Sequence, residues 1–467
     1  MSADTGRVPA AASAHEAGAA ALSPDEQLRR MPASQKLRIL AGSLVGSTIE
    51  WFEFFLYASA ASIVFSKQFF PSDNEFISIM LSYLTLALTF FVRPFGGAVF
   101  AHLGDRIGRK RTLVVTLLLM GIATMGIGLL PNYAAIGMAA PILLILLRLV
   151  QGLAISGEWG GAVLLAYEYA PRERRGLFGS IPQVGISLGM LLATATMALL
   201  SFMDPEAFAA WGWRIPFVGS ILLILLGLWI RGGVDETPAF RKVQEQGRQA
   251  KLPILEVFRK HWRAVLVVIG AKAVETAPFY IVATFILSYA TSQAVGFDKP
   301  TVLTAVSVAA LVTSICIPFA GALSDRFGRM AVFVTGAVLM AAFAFPYFLM
   351  VNAHEAGLLF AASIIALGLI WPLITGTYST LASEIFSADV RYTGITLGYQ
   401  VGAALVGGTA PLIATGLMEA FHGSWVPVAV FIIAMAVISI VSILLARSIA
   451  RHETELDLAE APDAPTS

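Results

Sequence analysis

Seven ionisable side chains stand where water is scarce. Glu50, Glu53, Glu158 and Glu275, with Arg93, Arg148 and Lys272, all fall within long apolar runs. On insertion scales each buried charge costs about 2.5–3.5 kcal/mol, so seven left unpaired would cost about 17–25 kcal/mol. That exceeds the usual stability margin of about 5–15 kcal/mol. These groups must therefore pair, take up protons or face water in a cavity, which makes each one a functional candidate. The stretch GSTIEWFEFFLY at 46–57 holds Glu50 and Glu53, and Tyr57 follows at the spacing that keeps all three on one helical face. Lys272 and Glu275 share a face by the same three-residue step. Two carboxylates in one low-dielectric site repel, so one of them is expected to carry a proton near neutral pH. Such a group can load a proton on one side and release it on the other. Glu53 is the first candidate for that role, Glu50 the second and Glu158 the third. The competing reading is a structural ion pair of Glu50 or Glu53 with Arg93 or Arg148. An arginine fork suits a carboxylate substrate. Arg148 with Gln151 one turn away, Arg93, and Lys272 with Glu275 are therefore candidate substrate ligands. Tyr57, Tyr280, Trp371 and Tyr378 are candidate polar edges or stacking faces, with ordinary packing as the alternative.

The elements that must hold these groups follow from composition. The chain has 467 residues, of which 57% are hydrophobic and only 13% charged, and its mean hydropathy is +0.78. An average soluble domain is roughly 25% charged, so this is an integral membrane protein. A net charge of +1 offers no basic surface for nucleic acid. The single cysteine, Cys316, cannot form an internal disulfide and reads as an inert buried thiol. No histidine has a partner at metal-ligand spacing, so neither a metal site nor a cofactor is expected; the in-span glutamates make a proton the expected coupling ion. The glycine patches GEWGG at 157–161 and ALVGG at 404–408 let helices approach closely. No Walker lysine follows them, which excludes ATP-driven transport. No set of nucleophile and base suggests an enzyme.

A span needs about 20 mostly apolar residues. Twelve candidates cover roughly 37–65, 76–101, 112–130, 140–169, 176–202 and 212–231, then 264–291, 301–323, 330–351, 355–381, 392–420 and 424–447. The runs are continuous rather than alternating, which excludes a β-barrel. Of the 31 basic residues, Lys67, Arg214 and Lys299 fall on one side and twenty-five on the other, leaving three inside spans. The rich side is expected to be cytoplasmic, with both termini on it. GDRIGRK at 104–110 and SDRFGRM at 324–330 repeat at an offset of 220, and Gln183-Val184-Gly185 recurs as Gln400-Val401-Gly402. The expected organisation is a disordered tail at 1–35, a six-helix bundle at 36–231, a linker at 232–263, a second bundle at 264–450 and a tail at 451–467. Transporters built from such repeats place the solute site at the repeat interface near the bilayer midplane.

Together these features resemble the major facilitator superfamily. Its signature GxxxDRxGR stands complete at Gly321–Arg329; in the first half Ala101 replaces the leading glycine. EWFEFFLY at 50–57, FFP at 69–71, RPFGG at 93–97, RLVQGLAISGEWGGA at 148–162, PQVG at 182–185 and ETPAF at 236–240 are similar to its metabolite:proton symporters. Known members of that branch import dicarboxylates, citrate, shikimate, proline or betaines together with protons. The branch usually has aspartate where Glu53 stands and glycine where Ser156 stands, and either change would retune a solute pocket. The resemblance implies an all-α fold of two pseudo-symmetric six-helix bundles, with the first and seventh spans lining a central cavity.

The loop motifs carry a second chemistry. Asp105, Arg106 and Arg109 with Glu168, and Asp325, Arg326 and Arg329 with Glu384, can form charge networks at the cytoplasmic face. Such networks would latch the halves in one state and loosen in the other, a gating role the resemblance also implies. The alternative is plain positive-inside topology. The expected protein is a monomeric inner-membrane symporter that imports a small, anionic metabolite with protons through the lipid bilayer. An osmolyte importer of the betaine type is the nearest rival. A drug exporter or a channel fits the motifs less well.

Overall fold

In a computed structural model the described residues are 33–107, 109–156, 159, 163, 166, 167, 170–232, 261–386 and 391–460. Long apolar runs become helices because only a helix satisfies every backbone N–H and C=O inside lipid without a partner strand. The first half contains α1 (Ala33–Ala60), α2 (Glu75–Ile107), α3 (Arg109–Leu129), α4 (Ala139–Ile155), α5 (Arg175–Leu200) and α6 (Arg214–Gly232). The second contains α7 (Trp262–Tyr280), α8 (Lys299–Phe327), α9 (Arg329–Val351), α10 (Ala356–Ser363, resuming at Trp371–Ile385), α11 (Arg391–Gly402, resuming at Ala410–Ala420) and α12 (Val426–Glu460). Among the described residues, nine helices are long and apolar enough to cross a membrane. A bent pair, Pro205–Gly212 with Arg214–Trp229, adds a tenth, and two shorter apolar helices, Val114–Leu129 and Ala139–Ile155, complete the set.

The termini differ from expectation. α1 begins at Ala33, inside the expected tail, and α12 continues to Glu460, past Arg451. ARHETELDLAE at 450–460 is made largely of good helix formers, so a helix already under way has reason to continue. Most of the expected linker, and residues 1–32, lie outside the described residues. Cys316 is half-buried on α8 rather than buried.

The break between α8 and α9 explains the glycine of the DRFGR motif. Gly328 has φ +91°, where a Cβ would be strained, and its N–H closes α8 on the Ser324 carbonyl at 3.0 Å. α1 and α7 also carry matching irregularities. Ala61–Phe65 and Ile281–Phe285 are both π-helical, and they lie 220 residues apart, the offset of the repeated motif. π segments cluster at functional sites.

The halves meet along equivalent seams. α5 of the first half packs along α8 of the second, and α2 packs against α11 in the same manner. Outward faces are apolar, with Leu222, Phe319, Val441 and Leu444 exposed, as lipid contact demands. Polarity is instead gathered inside, where the candidate charges lie.

Candidate functional site

Six of the seven in-span charges can be placed: Glu50, Glu53, Arg93, Arg148, Lys272 and Glu275 are each at most 5% exposed. Glu158 lies outside the described residues. The six do not form one cluster. Five of them divide between a cavity shared by the two halves and a hydrogen-bonded chain within the first.

The cavity has a volume of about 10 Å³, room for about one water molecule. Its wall takes Trp51, Phe90, Arg93 and Ile186 from the first half and Lys272, Glu275, Tyr280, Trp371 and Tyr399, among others, from the second. Lys272 and Glu275 form a direct ion pair one turn apart on α7. Thr276 and Thr375 donate to Glu275 at 2.8 and 3.1 Å, so both carboxylate oxygens are occupied. The Lys272 ammonium also sits 3.9 Å from the ring centre of Tyr399 and 4.9 Å from that of Tyr378. Arg93 lies over the ring of Phe90 at 4.1 Å. Its Nε and Nη2 have no hydrogen-bond partner among the described residues, and neither has Nε1 of Trp51.

The chain in the first half links α4, α3 and α1. Nη1 of Arg148 donates to Oε1 of Gln151 at 2.6 Å. Nε2 of Gln151 donates to Oγ1 of Thr124 at 2.6 Å, and Thr124 donates to Oε2 of Glu53 at 2.7 Å. The other oxygen of Glu53 has no partner among the described residues. Arg148 stacks over Tyr57 at 3.6 Å, and the Tyr57 hydroxyl bonds to Thr85. Arg148, Gln151 and Tyr57, expected as substrate ligands, are thus absent from the cavity wall and gather around Glu53 instead. Glu50 is buried on the same helix and is also not among the wall residues. One ring joins the two regions: Phe54 lies 5.2 Å from the Arg93 guanidinium and 5.8 Å from that of Arg148.

Contacts between the halves run on both sides of the cavity. At the end rich in basic residues, Asp325 accepts the backbone N–H groups of Gly176 and Leu177 at 2.8 and 2.9 Å. A carboxylate there complements the N-terminus of α5 across the seam. Arg329 pairs with Asp325 at 2.8 Å and with Glu384 at 3.4 Å, while Arg326 is exposed against Phe327 and joins neither. The seam is tight: a Cβ on Gly176 would stand 2.4 Å from the Gly321 carbonyl oxygen. Glu168 lies outside the described residues, and so do the side chains of Asp105, Arg106 and Arg109. Just below the cavity Trp159 stacks on Tyr399 at 3.6 Å, and Gln400 donates to the Ser156 carbonyl at 3.2 Å. Towards the opposite end, Tyr83 bonds to Ser288 at 2.8 Å and Ser307 to Thr194 at 2.8 Å.

Several of these residues escape a reading by type alone. Trp51 lies between the two glutamates and carries an unpartnered donor, yet it reads as one more aromatic in an apolar run. Thr124 is a lone hydroxyl in α3, and only its position between Glu53 and Gln151 distinguishes it. Phe90, Phe279 and Tyr399 give no signal in a chain with 30 phenylalanines.

Comparison with known proteins agrees with this architecture. Residues 43–405 match the family model of the Major Facilitator Superfamily. The chain is 38% identical over 425 residues to the shikimate transporter of Escherichia coli K12, covering 90% of this chain and 96% of the relative. It is 33% identical over 420 residues to the proline/betaine transporter of Salmonella typhimurium LT2, covering 87% and 83%. Among solved structures, the D-xylose-proton symporter superposes with a TM-score of 0.68 at 18% identity, over 88% of this chain and 97% of that one. The chain belongs to the Major Facilitator Superfamily: it is a multi-pass membrane transporter of small molecules and not an enzyme.

Proposed function

We propose that this chain is a proton-coupled symporter that imports a small organic acid across a bacterial-type inner membrane by alternating access. The observation that carries the reading is the separation of two buried regions. One is a cavity between the halves with an unpartnered guanidinium edge on Arg93; the other is a carboxylate, Glu53, tied through neutral side chains to Arg148. A substrate carboxylate answers the first and a proton the second. The proton would sit on Oε1 of Glu53, the atom without a partner. Neutralising Glu53 removes the charge that balances Arg148 at the far end of the chain. The Phe54 ring, shared by both guanidiniums, offers a route by which that change reaches Arg93.

In this reading the halves, 36–231 and 264–450, rock about the cavity as a monomer in the bilayer, with both termini cytoplasmic. Asp325, Arg329 and Glu384 latch the basic end, and Asp105 and Arg109 with Glu168 would do the same by symmetry. A zwitterionic osmolyte is the second reading, favoured by the likeness to the proline/betaine transporter of Salmonella typhimurium.

Proteoliposomes test both. Labelled shikimate and labelled glycine betaine are offered with and without an imposed inward proton gradient. Accumulation of shikimate only with the gradient supports the first reading, and uptake of either solute indifferent to the gradient rejects symport. Each unit of pH gradient supports up to about tenfold accumulation for one proton. Glu53→Gln should reduce that ratio to unity while exchange of internal for external solute continues.

A further inference from the structure

The cavity wall carries more information than its sign. Its buried unpartnered polar atoms are three N–H donors: Nε and Nη2 of Arg93 and Nε1 of Trp51. Nε and Nη2 lie on one edge of the guanidinium, the edge that grips a single carboxylate with two parallel bonds. The acidic group on the wall, Glu275, is already engaged by Lys272, Thr276 and Thr375. Lys272 is likewise held by Glu275. The wall therefore has one bidentate carboxylate berth, the free edge of Arg93.

The rest of the wall is rings. Phe279 stacks on Trp371 with centroids 4.3 Å apart, and Tyr280 stands edge-on to Phe279 at 5.4 Å. Such flat faces favour a ring or apolar body. They are poorly placed to cage a quaternary ammonium, because two of them already hold cations: Arg93 over Phe90 and Lys272 over Tyr399. A third positive charge would meet both.

We propose that the cavity, closed here to about the volume of one water molecule and widened as the halves part, selects a monocarboxylate with an uncharged ring-shaped body. The carboxylate lies on the Nε–Nη2 edge of Arg93 with the Trp51 indole N–H as a third donor, and the ring lies against Phe279, Tyr280 and Trp371. This deepens the organic-acid reading above and rests on it. Two carboxylates, or a carboxylate with a fixed positive charge, are selected against.

The test is equilibrium binding to the purified full-length chain in nanodiscs at fixed pH, where no gradient exists. The probes are shikimate, benzoate, succinate, citrate, L-proline and glycine betaine. A ring monocarboxylate should bind at least about tenfold more tightly than succinate, citrate, proline or betaine. Arg93→Lys should weaken it by about 30-fold or more, since the fork is lost. Trp51→Phe keeps the packing and removes one donor, and should weaken it by about 5- to 30-fold with the unfolding temperature unchanged. Equal or tighter binding of succinate, citrate, proline or betaine overturns the proposal, as does a Trp51→Phe variant with undiminished affinity. Failure of symport reads out separately: a ring monocarboxylate that binds selectively but enters proteoliposomes regardless of the gradient sinks the coupling and leaves the selectivity standing.

Discussion

The two halves bury charge in different ways. In the second, Lys272 touches Glu275 directly, one turn along a single helix, and two threonines complete the carboxylate. In the first, Arg148 reaches Glu53 only through Gln151 and Thr124, across three helices. A pair on one helix stays neutral however the helices move. A chain across α4, α3 and α1 holds only while those helices keep their register. The first arrangement can stabilise a site through a conformational cycle; the second can sense one. Among the described residues Glu275 has both oxygens engaged and Glu53 only one, and the free oxygen is the place the proposed function gives to the proton.

The comparison can be broken most forcefully at Lys272. Lys272→Met leaves a buried carboxylate without its cation and should lower stability by about 3–5 kcal/mol. Replacing both partners, K272M with E275L, should restore most of it, as read by thermal unfolding in detergent. A double variant no better than the single would show that the pair is not a local neutral unit. Thr124→Val comes next. It removes the hydroxyl that donates to Glu53 and accepts from Gln151, and should cost about 1–3 kcal/mol. It should also change the pH profile of solute exchange, which a purely structural hydroxyl would leave alone.

Smaller effects are expected at the basic end. Asp325→Asn keeps the shape but turns an NH2 towards one of the two α5 N–H groups and removes the charge that faces the α5 N-terminus and Arg329, and should cost up to about 2 kcal/mol. Greater reactivity of a cysteine introduced at Ser180 would report the looser seam. Glu384→Gln should change stability by less than about 1 kcal/mol, because Glu384 is 42% exposed and its contact with Arg329 is long. An effect at Glu384 larger than at Asp325 would reverse the assignment of the latch.

Sequence alone decided the class of molecule and the set of charges to explain. Hydropathy is local, so the helical spans could be read from runs of residues. The repeat of GDRIGRK in SDRFGRM tied the two halves together without any coordinates. The price of burying charge singled out Arg93, Arg148, Lys272 and the glutamates on composition and depth. Only the tertiary structure decided who meets whom. Arg93 and Arg148 are the same residue type in the same half, yet one faces the shared cavity and the other is bound into a chain ending at Glu53. That choice depends on how each helix is rotated about its axis and how deeply it sits against its neighbours. Those quantities arise from packing among many side chains at once, so they cannot be read from the spacing within any single span.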